Sequence, residues 1–447
     1  MENGSVAEGM TSMDASRMMI ISSDGHATAQ MDDYIPYIEP SFKEEFEEFC
    51  AVFREYGVYS SDPRQLQGRL DDYLVDDWVR TVVEPGHLEG RWNPSFRLTE
   101  LDANGVAAEV IIPDFGLPFE LGSPFVGVNP VTKKKLVRDR VHADVAKRAY
   151  NRWLVDFCQA APERFAGMAV VEFLDIESTI QEIRWAKEAG LKGVMMPRFE
   201  TELPLYDKAF DPVWSTLEDL EMVLNVHPAI SSSWSGETSM VSLSSVPDPV
   251  CAIGLLQAAL QFYSRQILDQ MIQCGVLDRH PRLQVVFTEL SSGWIPGKLL
   301  ELDYTHKGSY RRDETSVVKL LPSEYFARQC YLGSSLLSRA EVGAREAIGI
   351  DKMMIGVDYP HHEGMWHPSP GVQNYLQATF GAEEVPEDEA GAMIGGNAAN
   401  LFGFDVDKLR PIAERIGPRP GDILTPPTVD LYPRGDVHKP LGMTIAG

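Results

Sequence analysis

The chain has 447 residues, 44% of them hydrophobic, with 66 acidic against 40 basic side chains and a formal charge of −26. That is apolar chain enough for one large core or two to three ordinary ones, and so acidic a surface repels phosphate backbones, which argues against a nucleic-acid partner. No run of eighteen apolar residues argues for a membrane span, and five cysteines without a CxxC pair (Cys50, Cys158, Cys251, Cys274, Cys330) point to a reducing, cytoplasmic setting rather than a disulfide framework or zinc knuckle.

Met1 to Arg17 is polar and rich in small residues, without the basic start and apolar centre of a secretory signal, and reads as a flexible lead-in. Residues 18–404 read as one barrel. Short apolar runs fit strands at Met18–Ser22, Ala107–Ile112, Phe165–Val171, Gly193–Met196, Met222–Val226, Leu283–Thr288, Cys330–Gly333 and Met353–Val357. Helical patterns lie between most of them, at Val141–Ala160, Ile176–Ala189, Pro212–Leu220, Leu256–Cys274 and Arg339–Ile348. Strands alternating with helices imply parallel βα units, and eight units imply a closed (β/α)8 barrel of the α/β class. Thr28 to Glu100, rich in Asp, Tyr, Trp and Pro, reads as an insertion over the barrel mouth. Ile230 to Val250 is Ser-rich and reads as a lid or partner surface. Residues 405–447 carry Pro411, Pro418, Pro420, Pro426, Pro427, Pro433 and Pro440, which argues against a long helix and for an extended arm. Its apolar anchors Ile423, Leu431, Tyr432 and Leu441 fit packing on a neighbouring subunit of a homo- or hetero-oligomer.

In a parallel barrel the reacting groups stand at the C-terminal strand ends. After the first strand come Asp24, Gly25 and His26, and the two-residue spacing points Asp24 and His26 the same way. The fifth strand ends at His227, the sixth at Glu289, and the eighth at Asp358 with His361, His362 and Glu363 beyond. Any one of these is unremarkable; four strand ends carrying His, Asp or Glu form a pattern. Mixed imidazole and carboxylate donors suit zinc, manganese or iron. His361 and His362 are adjacent and point apart, so one of them faces the site; Glu363 reads as a residue that orients a histidine. Arg198 fits either a substrate carboxylate or a surface ion pair, and Trp294 fits packing beneath the rim as well as substrate contact. Asp114 and Glu172 read as solvated loop residues, Lys133 to Lys135 as a solvated charge run, and Gly395-Gly396 lacks the context of a nucleotide loop.

Several segments carry a family resemblance: Arg97 to Val106, Ala149 to Trp153, Asn225-Val226-His227, Gly293 to Pro296, Gly356 to His361 and Gly396 to Gly403. In this order and spacing the chain resembles the amidohydrolase superfamily, in the amidohydrolase-related branch that includes aminocarboxymuconate-semialdehyde and resorcylate decarboxylases. The resemblance implies a distorted (β/α)8 barrel with one or two divalent metal ions at its mouth. It places the metal ligands on Asp24, His26, His227 and Asp358, with Glu289 where many relatives carry histidine and His361 or His362 as further ligands, His361 being favoured because it matches the family's Asp-Tyr-Pro-His run. Asp-Gly-His in place of His-x-His, and a carboxylate on the sixth strand, harden the donor set towards manganese or iron, with zinc still open. The catalytic set it implies is Asp358, His361 and Glu289. Asp358 would ligate metal and shuttle the proton of a metal-activated water. The expected activity is hydrolysis or non-oxidative decarboxylation of a small carboxylated, amide or lactone-like substrate. The alternative is a dinuclear Fe/Fe or Fe/Mn oxygenase that hydroxylates a small organic or amino acid, and a catalytically silent subunit is a third reading.

Overall fold

The structure is a computed structural model that describes residues 16–67, 70–120, 140–173, 175–196, 203–228, 249–309 and 316–428. Eight parallel strands follow one another in space in chain order. They are β1 (Ile20–Ser22), β2 (Val106–Pro113), β3 (Phe165–Ala169), β4 (Gly193–Met195), β5 (Val223–Val226), β6 (Val285–Thr288), β7 (Cys330–Ser335) and β8 (Met353–Gly356). All eight expected strands are present. A two-residue strand, His26–Ala27, continues the line of β1 and pairs with the end of β2, His26 opposite Ile112.

The strands bury both faces, which is why they read as continuous apolar runs. Alternate residues divide between two cores. Ile21, Ala108, Val110, Ala166, Met168, Val223, Val286 and Met354 form one cluster with Phe402 and Leu409. Ile20, Val106, Ile111, Leu224, Val226, Val285, Phe287 and Ile355 join the larger cluster shared with the surrounding helices. Those helices include Arg140–Gln159, Ile176–Glu188, Asp211–Asp219 and Pro249–Gln273. The expected helix over Arg339–Ile348 is instead two short ones, Arg339–Gly343 and Arg345–Ile348, broken at Ala344.

The seam between first and last strands is joined by backbone hydrogen bonds at the mouth. Ser23 N–H donates to the Ile355 carbonyl (2.8 Å), Asp358 N–H to Asp24 (2.9 Å) and His26 N–H to Tyr359 (2.6 Å). The Ser22 hydroxyl oxygen accepts from Val357 N–H at 2.9 Å. The same contacts that join the barrel's ends set the Asp24–His26 segment against Asp358.

Of the expected lead-in only Ser16 and Arg17 are described, and they bond to Glu414 and the Gly417 carbonyl; residues 1–15 lie outside the described residues. The tail is not extended over its described part: Val406–Ile416 is helical with Pro411 inside it, and Pro420–Leu424 is helical too. One proline removes one helical hydrogen bond. The Asp405 carboxylate caps the start by accepting from Lys408 N–H, and Leu409 and Ala413 are buried, which outweighs that loss. Residues 229–248 and 429–447 lie outside the described residues, so the proposed lid and subunit arm are not addressed. No helix among the described residues is long and apolar enough to cross a membrane.

Candidate metal centre

β1 delivers Asp24 and His26, the end of β5 delivers His227, the end of β6 Glu289 and the end of β8 Asp358 and His361. The two residues just past their strands, Glu289 and Asp358, both hold left-handed backbone, at φ 57° and 61°. Such conformations cost non-glycine residues energy and persist where the surroundings enforce them. Here Asp358 N–H is held by the Asp24 carbonyl and Glu289 N–H by that of Gly333 (2.9 Å). The turns aim both carboxylates across the mouth.

Six side chains converge. His26 Nε2 lies 3.5 Å from Asp24 Oδ1 and 3.2 Å from Asp358 Oδ1. His227 Nε2 is 2.7 Å from Glu289 Oε2 and 4.0 Å from Asp24 Oδ1. His361 Nδ1 is 2.7 Å from Asp358 Oδ1. The His26 ring stands edge-on to His227 (centroids 5.3 Å) and lies over His361 (4.1 Å). One ligand atom each from Asp24, His26, His227 and Glu289 fall within 4.8 Å of one another, and so do those of His26, Glu289, Asp358 and His361.

The other ring nitrogens are already engaged, which orients the free ones. His26 Nδ1 meets the Pro113 carbonyl at 3.0 Å, and His227 Nδ1 the Pro228 carbonyl. The Asp24 carboxylate accepts from the Ser335 hydroxyl through Oδ2. Apart from their contacts within this cluster, Asp24 Oδ1, His26 Nε2, His227 Nε2, both Asp358 oxygens and His361 Nδ1, all buried, have no partner among the described residues. Buried polar atoms are normally satisfied, and six whose only partners lie within two overlapping donor groups leave a place for a cation. Hard oxygen and imidazole nitrogen donors in this number fit a divalent manganese, iron or zinc ion.

The protonation pattern agrees with that reading. Burial pushes the Asp24 carboxyl up to about 6, against the pull of His26 and His227. Burial and the nearby Asp358 charge raise Glu289 to about 8; its side chain is still 29% exposed, so solvent moderates the push. Burial lowers His227 to about 4. At neutral pH the metal-free pair is thus a carboxylic acid donating to a neutral imidazole. Across the cluster, burial would raise Asp358, yet His361 and His26 hold it below its ordinary value. His361 rises well above its ordinary value because Asp358 and Asp114 outweigh its burial. His26 also rises: burial and His361 push it down, but its hydrogen bond to Asp358 and the Asp24 and Asp358 charges prevail. His26, His361 and Glu289 all hold their protons more tightly than usual beside carboxylates that a cation would neutralise.

His362 is not part of this set: its ring pairs with Glu363 and stands edge-on to Trp78 (6.4 Å). Trp294 donates its indole N–H to the Ser291 carbonyl (3.1 Å) and packs on Phe287, which are packing contacts. Arg198 lies outside the described residues.

Sequence reasoning misplaced Asp114 and overlooked Arg91. Asp114, expected on a solvated loop, is 5% exposed; it accepts from Ser60 Oγ (2.6 Å) and meets His361 Nε2 at 3.4 Å. The insertion buries it, which its own strand-end position does not reveal. Arg91 is 6% exposed and lies over the Tyr59 ring at 3.4 Å. Its guanidinium has no hydrogen bond or ion pair among the described residues, and Nε is sealed from solvent. Only the insertion's fold brings Arg91 beside Tyr59 and near Asp114 and Tyr359.

Comparison with known proteins gives the same direction. Over 279 residues, 59% of this chain and 77% of the relative, the sequence is 23% identical to gamma-resorcylate decarboxylase of Rhodococcus jostii. The fold is similar to 5-carboxyvanillate decarboxylase from Sphingomonas paucimobilis, with TM-score 0.56 and 22% identity over 87% of this chain and 100% of that one. It is also similar to dihydroxybenzoic acid decarboxylase from Polaromonas sp. JS666, solved with bound manganese and the inhibitor 2-nitroresorcinol (TM-score 0.53, 17% identity, 86% and 97% covered). The amidohydrolase family model matches residues 130–404, well over half of the chain, and with the strand-end donors and the barrel this makes the chain a member of the amidohydrolase family.

Proposed function

We propose that the protein is a divalent-metal-dependent, non-oxidative decarboxylase of a small aromatic carboxylate. The observation that carries the reading is the ring of buried donor atoms on Asp24, His26, His227 and Asp358, which would hold the ion. The relatives supply the substrate class. A bound divalent cation would polarise substrate oxygens and lower the pKa of a bound water from ~15.7 towards ~7.

This chain's residues supply the rest. Loss of carbon dioxide leaves an electron pair on the ring carbon, which must take a proton. Glu289, against His227, is the donor in this reading and is left ionised; Asp358, held ionised by His361 and His26 and with its ligand atom within 4.8 Å of that of Glu289, relays the one proton from solvent that restores it. Arg91 is the guanidinium placed to receive an anionic group, since no described acceptor meets its N–H donors and its charge is costly to bury unpaired.

The test is turnover of manganese- or zinc-loaded enzyme on 2,6-dihydroxybenzoate and 5-carboxyvanillate without oxygen, in deuterated water. Carbon dioxide release with one deuterium at the vacated carbon is expected. The relatives are decarboxylases and lend no support to the alternative, a dinuclear iron or iron–manganese oxygenase. Two redox metals per chain, with oxygen consumed in place of carbon dioxide released, would replace the decarboxylase by that enzyme.

A further inference from the structure

Asp114 stands at the end of β2 and belongs to none of the donor groups around the metal centre. Its carboxylate is nonetheless tightly built in. Oδ2 accepts from the Ser60 hydroxyl (2.6 Å), Oδ1 from Phe115 N–H (2.6 Å), and its own N–H is held by Thr28 Oγ1 (3.1 Å). Thr28 and Ser60 come from the insertion, and Ser61 beside them donates to the Pro360 carbonyl (2.8 Å). The insertion thus fixes both Asp114 and the turn that carries His361. The remaining reach of Oδ1 is towards His361 Nε2, 3.4 Å away. The opposite ring nitrogen, Nδ1, faces Asp358, and the Trp366 indole N–H holds the His361 carbonyl at 2.9 Å.

An imidazole can turn about its side-chain bonds, and which nitrogen faces an ion is set by the partner of the other one. His361 lies over His26, a neighbour that offers its ring no polar anchor. Without Asp114, no described group fixes Nε2. We propose that Asp114 is the positioning residue of the metal centre: clamped by the insertion through Ser60 and Thr28, it holds Nε2 of His361 so that Nδ1 presents to Asp358 and the ion. The insertion therefore builds the site as well as covering it. This rests on the metal-centre reading above.

A double-mutant cycle on purified full-length protein tests it, with manganese affinity measured by calorimetry and turnover measured separately. Wild type comes first: if it binds no manganese, the metal-centre reading fails and the cycle says nothing against Asp114. If wild type binds, Asp114→Ala should weaken manganese about 10- to 100-fold. It should lower kcat more than it changes KM, because Asp114 does not touch substrate in this assignment. Asp114→Glu should restore part of the loss. In a His361→Ala background the further change Asp114→Ala should cost nothing, since the group it positions is gone. Ser60→Ala, which leaves the Asp114 carboxylate in place, should reproduce the loss in smaller measure and guards against a misfolded Asp114 variant. Equal losses from Asp114→Ala with and without His361, or a KM effect alone, would overturn the assignment.

Discussion

Two buried charge sites sit side by side at the end of β1, and they are built differently. Arg97 and Glu109 are both fully buried and meet through Nε and Oε2 at 2.8 Å. Arg97 also donates to the His26 carbonyl (3.0 Å) and lies 3.9 Å over the Tyr359 ring. The leftover atoms, Arg97 Nη2 and Glu109 Oε1, are one donor and one acceptor of the same pair. A few ångströms on, Asp24, His26 and Asp358 are just as buried and His361 nearly so, yet their atoms open into two overlapping donor groups instead of closing as one pair. Charge that closes on itself is scaffold; charge that stays open after folding awaits a ligand. Gly25 lies between the two: a Cβ there would collide with Glu109 Oε1 and stand 2.7 Å from Arg97 Nη2. The ion pair thus takes the space a side chain would fill and fixes the backbone that carries Asp24 and His26.

The contrast breaks most visibly if activity and stability are separated. Asp358→Asn should lower kcat/KM by about 10²- to 10⁴-fold, the range for a lost acid–base group. Asn tolerates the left-handed backbone that Asp358 holds at φ 61°, so the fold should survive. In the metal-free protein the melting temperature should fall only modestly, because His26 and His361 lose the carboxylate that holds their protons while one buried charge is removed with it. A melting temperature that falls as far as the activity would make Asp358 scaffold and erase the distinction.

The converse change is Arg97→Met. It leaves Glu109 charged and alone in the interior, which costs about 3–5 kcal/mol. Unfolding by urea should show that loss, with the midpoint shifted and the slope unchanged. Arg97→Met with Glu109→Gln should recover much of it, since both charges leave together. Recovery of stability without recovery of manganese binding would sharpen the comparison further, because Arg97 also holds the His26 carbonyl.

How much of this was legible follows from which contacts are local. The eight strands were readable because each is a short apolar run, and the candidate donor positions were readable because they are strand ends in a fold whose chemistry lives there. Asp24 and His26 needed only the two-residue period of a strand. That only one of His361 and His362 faces the site needed only that neighbours point apart; the choice of His361 came from its match to the family's Asp-Tyr-Pro-His run, and His362 does turn away to Glu363 and Trp78. What stayed hidden depends on the insertion. Asp114 reads like any loop aspartate until Ser60 and Thr28 arrive from far along the chain to bury it. Arg91 reads like a surface arginine until Tyr59 stacks on it. The tail misled for the opposite reason: its prolines are local and plain, while the burial of Leu409 and Ala413 that sustains a helix through Pro411 is tertiary.

The smallest expected effect concerns protons. Asp24 titrates at about 6 in the metal-free protein, above its ordinary value, because burial disfavours its charge. A raised folded pKa means the fold holds that proton more tightly than the unfolded chain does. The stability this contributes is complete below the ordinary carboxylate range and is lost as pH rises through about 6. Manganese works in the opposite sense, since it needs the ionised carboxylate. Metal affinity should therefore fall about tenfold per pH unit below about 6 for each proton displaced, while metal-free stability changes the other way over the same window. Calorimetry in two buffers of different ionisation heat would count the protons released on binding. Asp24→Asn should remove the step near pH 6, whereas Glu109→Gln, in the closed pair next door, should leave it in place. If both variants keep the step, Asp24 is not the group that the ion and the proton compete for.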